Sequence, residues 1–197
     1  MKTLEATPIL DWGHPLVARL AAQARGADDR ARLIAAHRLI AARLRPVYAL
    51  DEFRPVSRTL ALGKGSCSQR LAVLEAVARA VGVATRVKGL RVDGRFWHAR
   101  FPLLRPLIPR RVLLAWPEFL LEGRWVPVSE LYECLDDCRP FTNSGAETLF
   151  EAVGRTSVDL SAWVLEDLGY FTSRDELFRR FYRLHPRGCV MRAVSAR

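Results

Sequence analysis

The chain has 197 residues, half of them apolar, and a formal net charge of +10 at pH 7. This length and composition are typical of a globular domain and exclude a disordered chain. No apolar run approaches the roughly 20 residues that a transmembrane helix needs, and the N-terminal residues lack the continuous apolar stretch of a signal peptide. We therefore expect a cytoplasmic protein that has no membrane partner.

Arginine supplies nearly all of the positive charge, because the lysines are Lys2, Lys64 and Lys88. A net charge of this size attracts nucleic acid or other anions. The arginines are nevertheless spread along the whole chain, and the densest cluster, RPLIPRR at 105–111, lacks aromatic residues that stack on bases. We therefore expect solvated arginines and no nucleic-acid partner; a nucleic-acid binder would carry its arginines on one face.

The cysteines are too few and too scattered for a disulfide framework; they are Cys67, Cys134, Cys138 and Cys189. Cys134 and Cys138 lie four residues apart, without a second cysteine or histidine pair at metal-ligand spacing. No acidic loop suits calcium. We expect reduced thiols, no metal and no cofactor.

The first part of the chain, residues 1–56, is predicted to be mainly helical. HPLVARLAAQARG forms a short helix that ends at Gly26, and DDRARLIAAHRLIAARLRP forms a longer one that stops before Pro46. In the longer helix, one apolar stripe recurs at helical spacing and is expected to be buried; its members are Ile34, Leu39, Ile40 and Leu44. His37 lies in this helix and is expected to be partly buried or on the surface. Residues 46–65 are predicted to be an irregular link, because they contain two prolines and end in glycines.

The stretch GKGSCSQRLAVLEAVARAVG predicts a glycine-bracketed turn followed by a helix that ends at Gly82. This helix is apolar on nearly all sides, so we expect it in the middle of the domain. Two antiparallel hairpins are predicted next. VATRVKGLRVDGRFWHARF turns at Asp93-Gly94, and RVLLAWPEFLLEGRWVPVSELY turns at Glu122-Gly123.

After Tyr132 the chain is predicted to be irregular and then helical in AETLFEAVGR, SAWVLEDLGY and SRDELFRRFYRLH. Ser173 and Glu176 have the spacing of a capping box for the last helix. Segregated helices and strands indicate an α+β fold. We expect a single domain, with a helical N-terminal part at 1–56, a core at 57–135 and a helical C-terminal part at 136–197.

Cys67 is expected at the first turn of the central helix, where free backbone amides and the helix dipole favour a thiolate. Lys64 and Arg70 would add to this effect if they pointed inward, and Gly63 and Gly65 would allow the backbone to approach a substrate carbonyl. A small cysteine that merely fills space in the core is equally compatible with this position.

From Ser57 to Tyr132 the chain resembles the transglutaminase-like family, the papain-like cysteine superfamily of transglutaminases, peptide N-glycanases and related bacterial hydrolases. SRTLALGKGSC and LAVLEAVARAVGVATRVKG are similar to the family's glycine-rich turn, nucleophile helix and GIPAR strand. LAWPEFLLEGRWVPVSELY is similar to its HAW.E and W...D strands. The resemblance implies a papain-like α+β fold in which a central cysteine-bearing helix packs on an antiparallel sheet.

The resemblance carries over only one member of the family's catalytic triad. Cys67 matches the nucleophile, but Leu114 stands at the histidine position and Ser129 at the aspartate position. Losing members of such a triad typically costs on the order of 10⁴-fold in rate. We therefore expect a degenerate or non-standard member that binds a peptide or an amide-containing partner.

His98, in RFWHARF, is the candidate for a replacement base. If this stretch were a strand, Trp97, Ala99 and Phe101 would face the core, and His98 would point away from Cys67 together with Phe96 and Arg100. A bulge or another register would reverse this arrangement. The alternative function is therefore an active cysteine-dependent acyltransferase, amidase or peptidase that uses Cys67 with His98 as base.

Overall fold

The computed structural model describes residues 4–49, 51–132, 140–145 and 147–182. The α-helices of these ranges are α1 (Pro15–Gln23), α2 (Asp29–Arg43), α3 (Val56–Leu62), α4 (Cys67–Ala80), α5 (Leu149–Ala152) and α6 (Arg174–Tyr182). The strands are β1 (Arg45–Pro46), β2 (Lys64–Gly65), β3 (Thr85–Asp93), β4 (Arg111–Leu121), β5 (Arg124–Pro127) and β6 (Val164–Phe171). Among the helices of these ranges, none combines the length and the apolar character needed to cross a bilayer.

The main sheet is antiparallel, with the strand order β5-β4-β3-β6. The pairing of β3 with β4 is continuous from Thr85 opposite Phe119 to Asp93 opposite Arg111. A separate pair of short parallel strands, β1 and β2, joins the end of α2 to the turn before α4. This second pairing fixes the start of α4.

Helix α4 lies at the centre of the molecule, as the apolar residues on nearly all of its sides predict. Its residues from Gln69 to Arg79 are all buried. It packs against α1, α2 and α3 on the helical side and against β3 and β4 on the sheet side. The expected α+β fold, with a cysteine-bearing helix on an antiparallel sheet, is therefore confirmed.

The N-terminal helices are confirmed as α1 and α2, but the irregular link predicted at 46–65 is wrong. Pro55 occupies the N-cap position of α3, where a proline does not interrupt helical hydrogen bonds. His37 is buried rather than half-exposed, and the buried stripe of α2 runs through Leu33, Ala36, His37 and Ile40. Ile34 and Leu39 pack only at its edge.

The predicted hairpin at Asp93-Gly94 is also wrong. The Asp93 carboxylate instead accepts a hydrogen bond from the Arg95 amide (2.8 Å) and caps a 3₁₀ helix, Gly94–Trp97. A Cβ atom on Gly94 would lie 1.9 Å from the Pro109 carbonyl oxygen. The glycine is therefore needed for close packing within the long connection 94–110, and β3 pairs with β4 across that connection.

The second predicted hairpin is confirmed, because Glu122 and Gly123 both have positive φ, as a two-residue turn requires. The helix predicted in SAWVLEDLGY is wrong, since most of it forms the edge strand β6 on β3. The predicted helices AETLFEAVGR and SRDELFRRFYRLH correspond to α5 and α6. We expect reduced thiols at Cys134, Cys138 and Cys189, and these residues lie outside the described ranges.

The predicted capping box of α6 is shared between two residues. The Glu176 amide donates to Ser173 Oγ (3.2 Å), as expected. The Glu176 carboxylate, however, accepts from the amide and the hydroxyl of Thr172 rather than from Ser173. Both hydrogen bonds still satisfy donors ahead of the first turn of the helix.

Candidate functional site

Cys67 is the first residue of α4 and is half-buried. Ser66 caps the helix through a reciprocal capping box. Its hydroxyl accepts from the Gln69 amide (3.2 Å), and its own amide donates to Gln69 Oε1 (3.0 Å). Within the described part of the chain, no hydrogen bond uses the amides of Cys67 and Ser68. The thiol therefore lies beside two free donors at the positive end of a helix.

The glycines before Cys67 shape the turn between α3 and α4. Gly63 ends α3 in the left-handed conformation, with φ of 61°. Gly65 is buried, and a Cβ atom there would approach Thr59 Cγ2 to 2.9 Å. The left-handed backbone accounts for Gly63, and close packing within the protein accounts for Gly65.

The residue after Cys67 is held by a polar network. The Ser68 hydroxyl donates to Glu52 (2.5 Å), and Arg174 donates to the Ser68 carbonyl oxygen (3.0 Å). Arg174 also forms a fully buried ion pair with Glu75, about two turns further along α4. Burial raises the pKa of Glu52, an effect that the Ser68 hydrogen bond opposes. The first turn of α4 is thereby anchored to α6 and to the segment before α3.

Arg70, one helical turn after Cys67, points into the core. Its guanidinium is fully buried, forms an ion pair with Glu151 (2.5 Å) and lies over the Phe150 ring at 4.3 Å. Because the Arg70 side chain points inward, its positive charge lies against α5. Its positive charge is offset by Glu151, so Arg70 anchors the segment after 147 to the helix.

Tyr48 and Arg100 join three distant segments of the chain. Burial raises the pKa of Tyr48; the hydrogen bond and the charge of Arg100 oppose this effect, and an electrostatic interaction with Cys67 adds to it. Arg100 Nε donates to the Tyr48 hydroxyl, and its Nη1 donates to the carbonyl oxygens of Gly145 (2.7 Å) and Glu147 (3.0 Å). Tyr48 is thus held by Arg100 and lies within electrostatic range of the thiol.

His98 follows the 3₁₀ helix, and its amide donates to the Arg95 carbonyl oxygen (2.9 Å). The strand alternation predicted for this stretch does not apply, because residues 94–100 form a 3₁₀ helix and a turn. The pKa of Asp93 is lowered mainly by its hydrogen bonds from Arg95, with a smaller contribution from His98. Among the hydrogen bonds of the described residues, none joins the His98 ring to Cys67.

The resemblance assigns Leu114 to the family's histidine position and Ser129 to its aspartate position, and neither side chain is an acid–base group. Leu114 lies in β4 directly opposite Leu90 and is 6% exposed. Ser129 lies in a 3₁₀ helix just after β5 and lines a groove on the sheet. A leucine side chain holds no exchangeable proton, and a serine hydroxyl stays neutral near pH 7. Neither residue orients or replaces an imidazole.

The sequence interpretation proposed Cys67 as the site residue but named neither Tyr48 nor its contact with Arg100. Tyr48 lies in the stretch predicted to be an irregular link, and Arg100 lies in the stretch predicted to be a strand. Their contact joins residues 52 positions apart. A local pattern therefore carries no signal for it, although an aromatic residue and an arginine outside periodic segments are reasonable candidates for such a contact.

Comparisons with known proteins agree on the family. The model of the transglutaminase-like superfamily matches residues 15–129. A solved structure described as "a Putative Cysteine Protease from Cytophaga hutchinsonii" superposes with a TM-score of 0.51 at 13% identity, over 88% of this chain and 47% of that one. This chain thus spans about half the length of that protein, and the likeness shows the fold. A search of curated proteins finds no match. Because the family model matches more than half of the chain, this protein belongs to the transglutaminase-like superfamily.

Proposed function

We propose that this protein is a transglutaminase-like domain that has retained the nucleophile cysteine and lost the standard proton-transfer groups. Its function is to bind a peptide or another amide-containing partner at Cys67 without turning it over. The observation that carries the proposal is the pair of replacements, Leu114 at the histidine position and Ser129 at the aspartate position. Without an imidazole there, no group protonates the leaving amine of an acyl transfer.

The surroundings of Cys67 support recognition of an amide. The free amides of Cys67 and Ser68 are suitable donors to a carbonyl oxygen. The Tyr48 hydroxyl, which interacts electrostatically with Cys67 and accepts from Arg100, is a further polar group for such a ligand. The related solved structure is described as a protease, which names a peptide as the amide-bearing ligand of that protein. A peptide backbone is therefore the first ligand class to test.

The second candidate function is an active cysteine-dependent acyltransferase, amidase or peptidase with His98 as base. One observation favours it. Arg100, two residues after His98, donates to the hydroxyl of Tyr48, and Tyr48 interacts electrostatically with Cys67, so the connection that carries His98 contacts a residue within electrostatic range of the thiol. A rearrangement of the turn after Trp97 would be needed to bring the imidazole to the thiol.

The two candidates differ in the pH dependence of Cys67 alkylation by iodoacetamide, followed by mass spectrometry. We expect the rate profile of the wild type to coincide with that of His98→Ala, because no imidazole assists the thiol. His14→Ala, which removes a histidine at the exposed start of α1, is the matched control. A profile that shifts to higher pH in His98→Ala, but not in His14→Ala, would establish a Cys67–His98 pair and overturn the proposal.

A further inference from the structure

The connection between β3 and β4 presents apolar side chains to solvent on an ordered backbone. We call residues 102–111 the Leu-Arg loop. Leu103 is 92% exposed and Leu107 is 53% exposed. Successive turns fix the backbone, with the Leu107 amide donating to the Leu104 carbonyl (2.9 Å) and the Gly94 amide donating to the Arg110 carbonyl (3.0 Å). Two leucines held exposed on one fixed loop form an apolar patch that can serve as an interaction surface.

The same loop carries three positive charges. Arg105, Arg110 and Arg111 are all exposed. In the described ranges, none of the three forms an ion pair with a carboxylate. The Leu-Arg loop therefore combines two exposed leucines with three guanidinium groups that have no carboxylate partner among the described residues.

A groove of complementary character lies on one face of the main sheet, and we call it the sheet groove. It has a volume of about 510 Å³, within the range of about 300–1,000 Å³ that is usual for binding pockets. Its apolar walls include Leu90, Trp116 and Leu160. Convex apolar side chains of the size of leucine suit such walls.

The sheet groove also offers negative charge. Glu118 and Asp167 line it but are paired with Arg86 (2.6 Å) and Lys88 (2.9 Å). Asp159 lines it as well, is exposed, and accepts only from the amide and the hydroxyl of Ser161 (2.8 and 3.0 Å). These hydrogen bonds lower the pKa of Asp159. The groove thus holds an ionised carboxylate that has no cationic partner in the part of the chain that the structure describes.

We propose that the Leu-Arg loop of one copy of this protein docks in the sheet groove of a second copy. The loop's leucines enter the apolar part of the groove, and its arginines pair with Asp159. The contact is heterologous, because the loop and the groove are different surfaces. Each chain can bind one neighbour through its loop and another through its groove, or bind a single partner through both. This inference rests on the two surfaces alone and is independent of the function proposed for Cys67.

The first test measures self-association by analytical ultracentrifugation across a range of protein concentrations. We expect the wild type to associate and Leu107→Asp to raise the dissociation constant about tenfold or more. Leu165→Asp is the matched control, because Leu165 is an equally exposed leucine (52%) that does not line the groove. We expect this control to associate like the wild type.

The second test is complementation by mixing. Leu107→Asp retains an intact groove, and Asp159→Arg retains an intact loop. Each variant alone is expected to be monomeric, whereas an equimolar mixture is expected to form a 1:1 complex through the remaining loop and groove. Formation of this complex also shows that both variants are folded.

Three results would overturn the proposal. One is a wild type that stays monomeric at every concentration. This result would mean that the loop binds a different partner or an anionic lipid surface. Another is equal behaviour of Leu107→Asp and Leu165→Asp. The last is a mixture of the two complementary variants that fails to associate while both show the far-ultraviolet circular dichroism of the wild type.

Discussion

At the scale of single residues, His37 is a buried histidine whose neutral form fits its surroundings. Its Nε2 lies 2.6 Å from the Phe150 carbonyl oxygen, and its Nδ1 lies 2.9 Å from the Tyr132 hydroxyl. A carbonyl oxygen only accepts, so Nε2 carries the proton and Nδ1 accepts from Tyr132. The ring also stacks on Phe150 at 4.3 Å. Burial lowers the pKa of His37 below its ordinary value.

The lowered pKa of His37 predicts sensitivity to acid. Below about pH 6.5, the ordinary value for histidine, the unfolded chain binds a proton that the folded chain does not. The free energy of unfolding therefore decreases as the pH falls from about 7 to 5. In His37→Phe we expect this decrease to be smaller. At pH 8 the same variant is expected to be about 1–3 kcal/mol less stable, because two hydrogen bonds are lost.

Urea unfolding of the wild type and of His37→Phe at several pH values measures this difference. His14→Ala is the control, since His14 is exposed and its loss leaves the buried network intact. Equal pH slopes for the wild type and His37→Phe would show that His37 does not titrate differently in the folded and unfolded states.

At the scale of elements, α6 is attached to α4 by the buried ion pair of Arg174 and Glu75. Both side chains are almost completely inaccessible to solvent. Arg174 also reaches the Ser68 backbone, so the pair connects α6 to the first turn of the cysteine helix. Removing one member leaves an uncompensated charge in the core.

We therefore expect Arg174→Met to lower the free energy of unfolding by about 3–5 kcal/mol. The double variant Arg174→Met with Glu75→Leu is expected to recover much of this loss, because the Glu75 carboxylate is no longer buried without Arg174. Arg179→Met, on the exposed side of α6, should change stability by less than about 1 kcal/mol. Urea unfolding of the three proteins tests the account, and a double variant as unstable as the single one would contradict it.

The connection 94–110 predicts a second effect on stability. Gly94→Ala places a methyl group against the Pro109 carbonyl oxygen and is expected to cost about 1–3 kcal/mol by overpacking. Gly13→Ala is the matched control, because no atom lies within 4 Å of a Cβ there. Thermal unfolding compares the two variants. A Gly94→Ala protein as stable as Gly13→Ala would contradict this prediction, because the loop would then accommodate the methyl group at little cost in free energy.

The elements that could be predicted are those specified by local patterns. The burial of α4 could be predicted from the apolar residues on nearly all sides of the helix. The turn at Glu122-Gly123 could be predicted from those two residues and the strands beside them. Asp93-Gly94 has the same local signature as a hairpin turn, yet the strand that pairs with β3 begins only at Arg111. The stretch SAWVLEDLGY has apolar residues at helical spacing, but pairing with β3 made most of it a strand. In both cases a long-range contact determined the outcome.

At the scale of the whole molecule, the site combines segments that the sequence separates widely. The positions of Cys67, Leu114 and Ser129 could be predicted because each lies within a contiguous family motif. The Tyr48–Arg100 contact could not be predicted, because it depends on how the segment before α3 meets the connection after β3. The family and the fold could therefore be predicted from contiguous motifs, whereas the Tyr48–Arg100 contact could not.

The central claim is that an acyl group can reach Cys67 but that the site supports no catalytic turnover. The most direct test is hydrolysis of p-nitrophenyl acetate, followed by nitrophenolate release, for the wild type, Cys67→Ser and His98→Ala. We expect the wild type to release at most one equivalent by acylation of Cys67 and then to match the slow steady rate of Cys67→Ser. Sustained turnover above Cys67→Ser that disappears in His98→Ala would contradict the account and establish a working cysteine enzyme.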